Sequence, residues 1–587
     1  MTLEEKQHIR TAGTPVLPSL PVRLKNGPVE AEYLDGYLRY ISCGGTELVR
    51  QIYVAVRDAN WRTVPGEIDN LHIDQKEDSF LIIYSSLHTE ADIHFLWKAR
   101  ILGCSDGTIS FTFNGEVLRT FLRNRIGFCV LHPMEAAGRK CRIIHDDGTA
   151  EEGVFPKLIS PYQPFFNIRA MSWSVKEGIT GKLKFDGDVF EMEDQRNWTD
   201  ASFKTYCTPL SLPFPVQVEK GTKIFQEITF SLEAAEDTLE GAVSVSQRSI
   251  VEVRLSDRKD AVLPAIGLSL GETPRLFSNK QIRLLSALQC AHLRFDIGLS
   301  EIAVANPKKK DKAGYLNTAI ENAKKLGVPL ELALHLGPSP SEELDGLIKA
   351  MGKVDVCIDE PPAAEEDLKK RQIISRFLVF KDREKSTGRQ WIFLAKEKLK
   401  PRFPKAPIIA GTDAFFTELN RGRPDTSLSE GVVYSLNPQV HAFDNNFLVE
   451  STAAQEVTVK TAKDFSEGLP VHVGPITFKM RWNPNATGEE PPVQEGVLPP
   501  QVDTRQMSLF GAAWTAASIK YLSKGGAKTL TYYEASGWKG VMEKEEGSPL
   551  PYKFPSIPGG EFPLYHVFRW LAGRVGTRLI GLESSNS

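Results

Sequence analysis

The chain has 587 residues, too many for one ordinary domain, since domains run to roughly 150 residues and barrels to about 250. With 41% hydrophobic and 25% charged residues it has the balance of a folded globular protein rather than a disordered one. Seventy-one Lys plus Arg against 74 Asp plus Glu leave a net charge of -3, which excludes a chain built to neutralise nucleic-acid phosphates.

No run reaches the roughly 18 apolar residues that span a bilayer, and the polar start Met1–Lys6 lacks a basic segment followed by an apolar one. The expectation is a cytoplasmic protein without membrane contact. Seven scattered cysteines, never in a CxxC pair, argue against a disulfide framework and a thiolate zinc site.

The first third reads as short β-branched and aromatic runs: Val29–Tyr33, Phe80–Tyr84, Thr108–Phe113 and, at its end, Ile228–Leu232. Turn signals such as Cys43-Gly44-Gly45 and Asn114-Gly115 separate such runs. The pattern predicts an antiparallel β-sandwich over residues 1–240, left through the acidic segment Glu233–Asp237.

From about residue 262 strand-like runs alternate with helical ones such as Gln281–Cys290 and Tyr315–Leu326. The strands are Ala265–Leu270, His292–Ile297, Leu330–Leu336, Arg376–Phe380, Ile408–Phe415, Val432–Leu436, Val471–Phe478 and Thr529–Tyr533. These eight close a TIM-type (β/α)8 barrel over residues 241–575, with Pro563–Ala572 as its last helix and 576–587 as a short tail. Val354–Ile358 is assigned to an irregular connection. Asn483–Gln501 and Gly547–Glu561, rich in Pro and Gly, read as long loops at the barrel mouth.

In such a barrel chemistry sits where strands end. Strand two ends in Arg294-Phe295-Asp296, and strand five runs into Asp413, Glu418 and Asn420. Strand six supplies Tyr434, Asn437, His441 and Asp444; strand eight ends in Tyr533-Glu534 with Trp538 beyond. Burial would raise the Glu534 carboxyl toward an acid or base role, and Glu418 or Asp413 offers the second carboxylate. His441 could donate to an oxyanion, its tautomer fixed by Asp444. Arg294 and Asp296 also read as a plain barrel-interior ion pair. With no HExxH and sparse histidine, no metal and no other cofactor is expected. The GxSxG match Gly267–Gly271 falls within a strand, where a nucleophile elbow cannot form. Lys308–Lys310 reads as a solvated loop, and Glu193–Asp200 as a sugar-binding surface or, the favoured reading, an interdomain clamp.

The segments Glu191–Tyr206, Gly411–Asp413, Ser435–Asp444, Asn483–Gly488, Arg505–Trp514 and Thr531–Glu534 resemble the D-apionate lactonase family, over roughly residues 20 to 575. That resemblance implies hydrolysis of D-apionolactone to D-apionate in apiose catabolism, with a small sugar lactone as partner. It also implies an N-terminal β domain, a TIM barrel and a small C-terminal β domain, the last expected to be missing or truncated here. It transfers no catalytic residues. From the strand ends, Glu534 is the expected general base on water, Glu418 the acid on the leaving ring oxygen, and His441, Asn437 or Arg294 the oxyanion donor. The competing expectations are a glycoside hydrolase with paired carboxylates and a non-catalytic carbohydrate-binding protein.

Overall fold

A computed structural model describes residues 2–234, 251–300, 312–352, 357–358, 371–486 and 493–584. The Lys308–Lys310 run, Val354 and residues 235–237 of the acidic exit lie outside the described residues.

Seventeen antiparallel strands make one hydrogen-bonded network before residue 235. Its pairings resolve into two sheets that share the strand Phe165–Lys176. One sheet continues through Ile179–Asp186, Lys223–Ala234, Ile109–Val117, Ile93–Gly103 and Phe80–Glu90 to Glu67–Gln75. The other continues through Phe190–Glu193, Ser202–Tyr206, Phe121–Pro133 and Thr46–Asp58 to Val22–Asn26. The two meet across an aromatic core in which Phe111 of the first sheet packs edge-on against Phe128 of the second, ring centroids 4.9 Å apart. Alternating burial along strands such as Ile93–Gly103 is what folds this nearly closed sheet on itself.

One turn expected from sequence is not there. Asn114-Gly115 lies inside the strand Ile109–Val117, where Gly115 faces Trp97. A Cβ at Gly115 would stand 2.3 Å from the Phe95 ring, so the glycine serves close aromatic packing and not a turn. Cys43-Gly44-Gly45 does end a strand, both glycines having positive φ.

The second region is a closed parallel barrel. Its strands are β1 (Ala265–Ser269), β2 (His292–Gly298), β3 (Leu330–Leu336), β4 (Ile374–Lys381), β5 (Ile408–Gly411), β6 (Val432–Leu436), β7 (Val471–Ile476) and β8 (Thr529–Glu534). They match the expected eight closely. Cys357–Ile358 pairs with Arg371–Gln372 outside the barrel, so it is a connection. The clearest shift is at β5, expected to reach Phe415. It stops at Gly411, whose Cβ would meet the Val433 carbonyl oxygen at 2.0 Å, and the chain then turns into the helix Phe416–Arg421. Beyond the last barrel helix (Pro563–Leu571) the expected tail forms the strand Arg578–Ser584, which pairs with Val253–Val262. Among the described residues no helix is long and apolar enough to cross a membrane.

Alternation along the barrel strands sorts two environments. Leu293, Phe295, Leu332, Leu334, Phe377, Val432 and Tyr434 join the core between strands and helices. The intervening residues face inward: Ala333, Leu378, Ile409 and Val433 form one apolar cluster, and Arg294, Glu331, Arg376 and His472 a polar one.

The two regions are bonded to each other. Asn420 donates to the Ile159 carbonyl (3.1 Å) and to Asn197 (3.0 Å), and Arg421 to the Pro161 carbonyl (2.8 Å). His441 bonds Asp200, and Trp198 packs edge-on against both Phe415 and His441. Glu193–Asp200 therefore does act as a clamp, gripping the segments after β5 and β6. Replacing Gly115 with Ala should lower stability by about 1–3 kcal/mol through overpacking against Phe95, read as a reduced thermal midpoint with the barrel site intact.

Candidate active site

A cavity of about 570 Å³ opens at the C-terminal ends of the barrel strands. Its wall includes Glu272 after β1, Asp296 of β2, His335 of β3, Phe380 of β4, Asp413 after β5, and Arg481 and Trp482 after β7. This is where the barrel architecture places function.

Its chemistry starts one layer below. Arg294 is fully buried. Its guanidinium grips Asp296 through two bonds of 2.9 and 2.7 Å, donates to the Gly474 carbonyl (2.7 Å) and reaches Asp413 at 3.2 Å. Glu331 lies 3.8 Å away and is itself paired with Arg376 at 3.0 Å. Beside this layer His292 bonds Thr531 (2.8 Å) and His472 bonds Thr529 (2.8 Å). Burial lowers the pKa of both imidazoles, to about 4 and about 3, so they are neutral hydrogen-bonding groups at neutral pH.

At the mouth a second guanidinium, Arg481, bonds Asp413 at 2.5 Å and approaches Asp296 at 3.5 Å. The two arginines balance the two aspartates. His335 sits between the carboxylates, its Nε2 3.4 Å from Asp296 and 3.9 Å from Asp413. Burial alone would raise the Asp296 carboxyl, but the charges of Arg294 and Arg481 outweigh it and hold the group well below the usual carboxylate range. For His335 burial disfavours protonation. The bond to Asp296 and the charges of Asp413 and Asp296 outweigh it, and its pKa lies above the ordinary 6.5.

Asp296, His335 and Asp413 each offer one ligand atom, all within 4.8 Å of one another, the spacing that could hold a cation. Both carboxylates, however, already accept from guanidinium groups, which neutralise them without an ion.

The residues expected from sequence are distributed unevenly. Arg294, Asp296 and Asp413 come together as described, as a network rather than an isolated pair. Glu534 is paired with Lys539 at 2.8 Å, beside Gly271 at the end of β1, and does not line the cavity. Glu418 is 5% exposed and accepts from the Phe415 amide (3.2 Å), closing the first turn of its short helix. Its carboxyl is pushed up to about 7 by burial, against the opposing charges of Lys385 and Arg421.

His441 takes its carboxylate partner from the other domain, Asp200, and not from Asp444. Burial holds His441 well below the usual imidazole range. Asp444 instead accepts from the Phe447 amide (3.0 Å) at a helix start and from Arg39 (3.3 Å). Asn420 is spent on the interdomain bonds. Tyr434 faces outward by alternation, its hydroxyl bonded to Thr458 of the helix Ala454–Phe465. At Tyr533 a φ of 31° breaks the alternation, so Tyr532 and Tyr533 both reach the helix Leu509–Gly525, through Ser518 and Thr515. Asn437 accepts from the Gln439 amide (3.2 Å), and the Trp538 indole donates to Ser548 (2.9 Å).

A TIM-type barrel with a charge-balanced polar cavity at its mouth, bonded through two of its loops to an antiparallel β domain, is an enzyme architecture for a small polar substrate. The chain belongs to the D-apionate lactonase family: the family's N-terminal domain matches residues 9–235 and its TIM barrel domain residues 266–576. A curated D-apionate lactonase from Brucella anthropi is 29% identical over 580 residues, covering 96% of this chain and 89% of that one. Among solved structures, a family 39 glycoside hydrolase from Bacteroides cellulosilyticus WH2 is 9% identical with a TM-score of 0.32, covering 76% of this chain and 80% of that one. An endo-1,4-β-D-mannanase from Thermotoga petrophila RKU-1 is 14% identical with a TM-score of 0.33, covering 53% and 99%.

Replacing Arg294 with Met would leave Asp296, Asp413 and Glu331 short of a buried counter-charge. Breaking a buried pair from one side destabilises by about 3–5 kcal/mol, so urea unfolding of this variant should shift by that amount.

Proposed function

We propose that this chain hydrolyses D-apionolactone to D-apionate, with His335 as the group that moves the proton. Family membership supports the reaction. The observation that carries the mechanism is His335 on the cavity wall, held by Asp296, which Arg294 in turn locks from below.

Opening a lactone needs an activated water, a donor for the oxyanion and a proton for the departing ring oxygen. With Nε2–H directed at Asp296, Nδ1 of His335 is the basic atom. Water attacks the carbonyl carbon and gives its proton to Nδ1. The developing oxyanion is stabilised by Arg481, the guanidinium on the cavity wall. The tetrahedral intermediate then collapses, the ring C–O bond breaks and the alkoxide takes the proton back from the imidazolium. Asp296, held ionised, orients His335 and stabilises its charged form, in the manner of the aspartate in a serine hydrolase triad. A paired-carboxylate glycosidase needs a carboxylic acid that stays protonated. The guanidiniums on Asp296 and Asp413 make these two carboxylates poor candidates for that role.

His335→Asn should reduce kcat/KM on D-apionolactone by about 10²–10⁴-fold with the thermal midpoint little changed. Near wild-type turnover would remove His335 from the mechanism. The pH profile follows from the sign of the shift: the base form of His335 accumulates as pH rises through its raised pKa. The acid limb of kcat/KM should therefore have its midpoint above 6.5, moving down in Asp296→Asn, which removes the charge that favours the imidazolium. Because guanidinium groups rather than a cation neutralise the cluster, turnover should survive EDTA. Activity that EDTA removes and Mn²⁺ or Zn²⁺ restores would assign Asp296, His335 and Asp413 to a metal instead.

A further inference from the structure

Most of the cavity wall is charged, but two aromatic rings belong to it, Phe380 and Trp482. Their situations differ. Phe380 is buried and packs its ring against His335 with centroids 5.3 Å apart, so it belongs to the support of the imidazole. Trp482 is 42% exposed, and among the described residues no ring or cation is stacked on it. Its position is nevertheless fixed: the indole N–H donates to the Asp413 carbonyl (3.2 Å), while its neighbour Arg481 bonds the carboxylate of the same residue. A large aromatic tied down at its polar edge and part-exposed on the wall of a polar cavity has the form of a platform for a ligand that is polar at its edge and apolar on its face.

A hydroxylated lactone ring has that form. Its carbonyl and hydroxyl oxygens lie around the ring, where Arg481, Asp296, Asp413 and His335 supply donors and acceptors. Its ring C–H groups, polarised by the neighbouring oxygens, favour the negative face of an indole. We propose that Trp482 is the platform on which the lactone ring lies and is thereby a specificity-determining residue for ring shape. This rests on the lactone-hydrolase reading and deepens it. The loop after β7 would then supply both the oxyanion donor and the surface that presents the carbonyl to it.

The test pairs Trp482→Ala with Trp482→Phe, the second keeping an aromatic face while losing the N–H bond to Asp413. On D-apionolactone, Trp482→Ala should raise KM about tenfold, the scale of one aromatic contact, with kcat changed by less than about threefold. Trp482→Phe should stay within about threefold of wild type in both constants. Unchanged KM in Trp482→Ala, or equal losses in the Phe and Ala variants, would overturn the platform. Calorimetric binding of the corresponding γ-lactam, which resists hydrolysis, separates the two readings. Lactam binding by a wild-type protein that opens no lactone, lost in Trp482→Ala and kept in Trp482→Phe, would support the platform and sink the hydrolase. Lactone turnover by wild type, with lactam binding equal in all three proteins, would keep the hydrolase and sink the platform.

Discussion

The barrel is organised around a guanidinium that has no access to water. Arg294 carries a full charge in the middle of the strand cylinder, and an isolated charge there would be prohibitively unfavourable. It is tolerated because Asp296, Asp413, Glu331 and the Gly474 carbonyl surround it, drawn from β2, β3, β7 and the turn after β5. Each depends on the others for the same reason. The network thus fixes the relative positions of segments far apart in sequence, and it delivers to the mouth an aspartate that stays ionised. A catalytic imidazole needs a partner that cannot drift or take up the proton itself, and the buried arginine gives Asp296 both properties.

A second organising element is strand alternation and its interruptions. Inward positions of β2 and β3 place Arg294, Asp296, Glu331 and His335 on the polar axis, while their neighbours Phe295 and Leu334 hold the helices. Gly411 ends β5 early because the Val433 backbone leaves no room for a side chain, and this turn swings Asp413 toward Arg294. At β8 the positive φ of Tyr533 sends two consecutive tyrosines to the same outer helix. Small local departures from regularity decide which side chains reach the cavity.

Much of this was legible in the sequence. The eight barrel strands follow from runs of apolar residues at the right spacing, and the strand-end rule found Arg294, Asp296 and Asp413. His335 carried a readable signal too: in Leu330–Leu336 the polar residues Glu331 and His335 stand second and sixth, on one face of an otherwise apolar strand, which is how an inward polar face looks. Arg481 and Trp482 had none, because a loop after β7 has no period to read and its partners, Asp413 and Asp296, lie on other strands. The strand-end rule also gathered Asn420, His441 and Asp444, which are polar for a different reason. They face the other domain, and a strand end that meets a neighbouring domain resembles, in one dimension, a strand end that meets a substrate. Gly115 misled in the same way, since a glycine that makes room for Phe95 is written with the same letter as one that makes a turn.

The grip of the N-terminal domain divides the rim of the cavity into two halves with different freedom to change. Asn420, Arg421 and His441, in the segments after β5 and β6, are committed to Asn197, Pro161 and Asp200, so insertions or substitutions there would have to be matched across the interface. Lys385, Trp482 and Asn485, in the segments after β4 and β7, make their bonds within the barrel. Divergence toward other lactones should accumulate in that second half, and a directed library aimed there could vary ring recognition without loosening the joint between the domains.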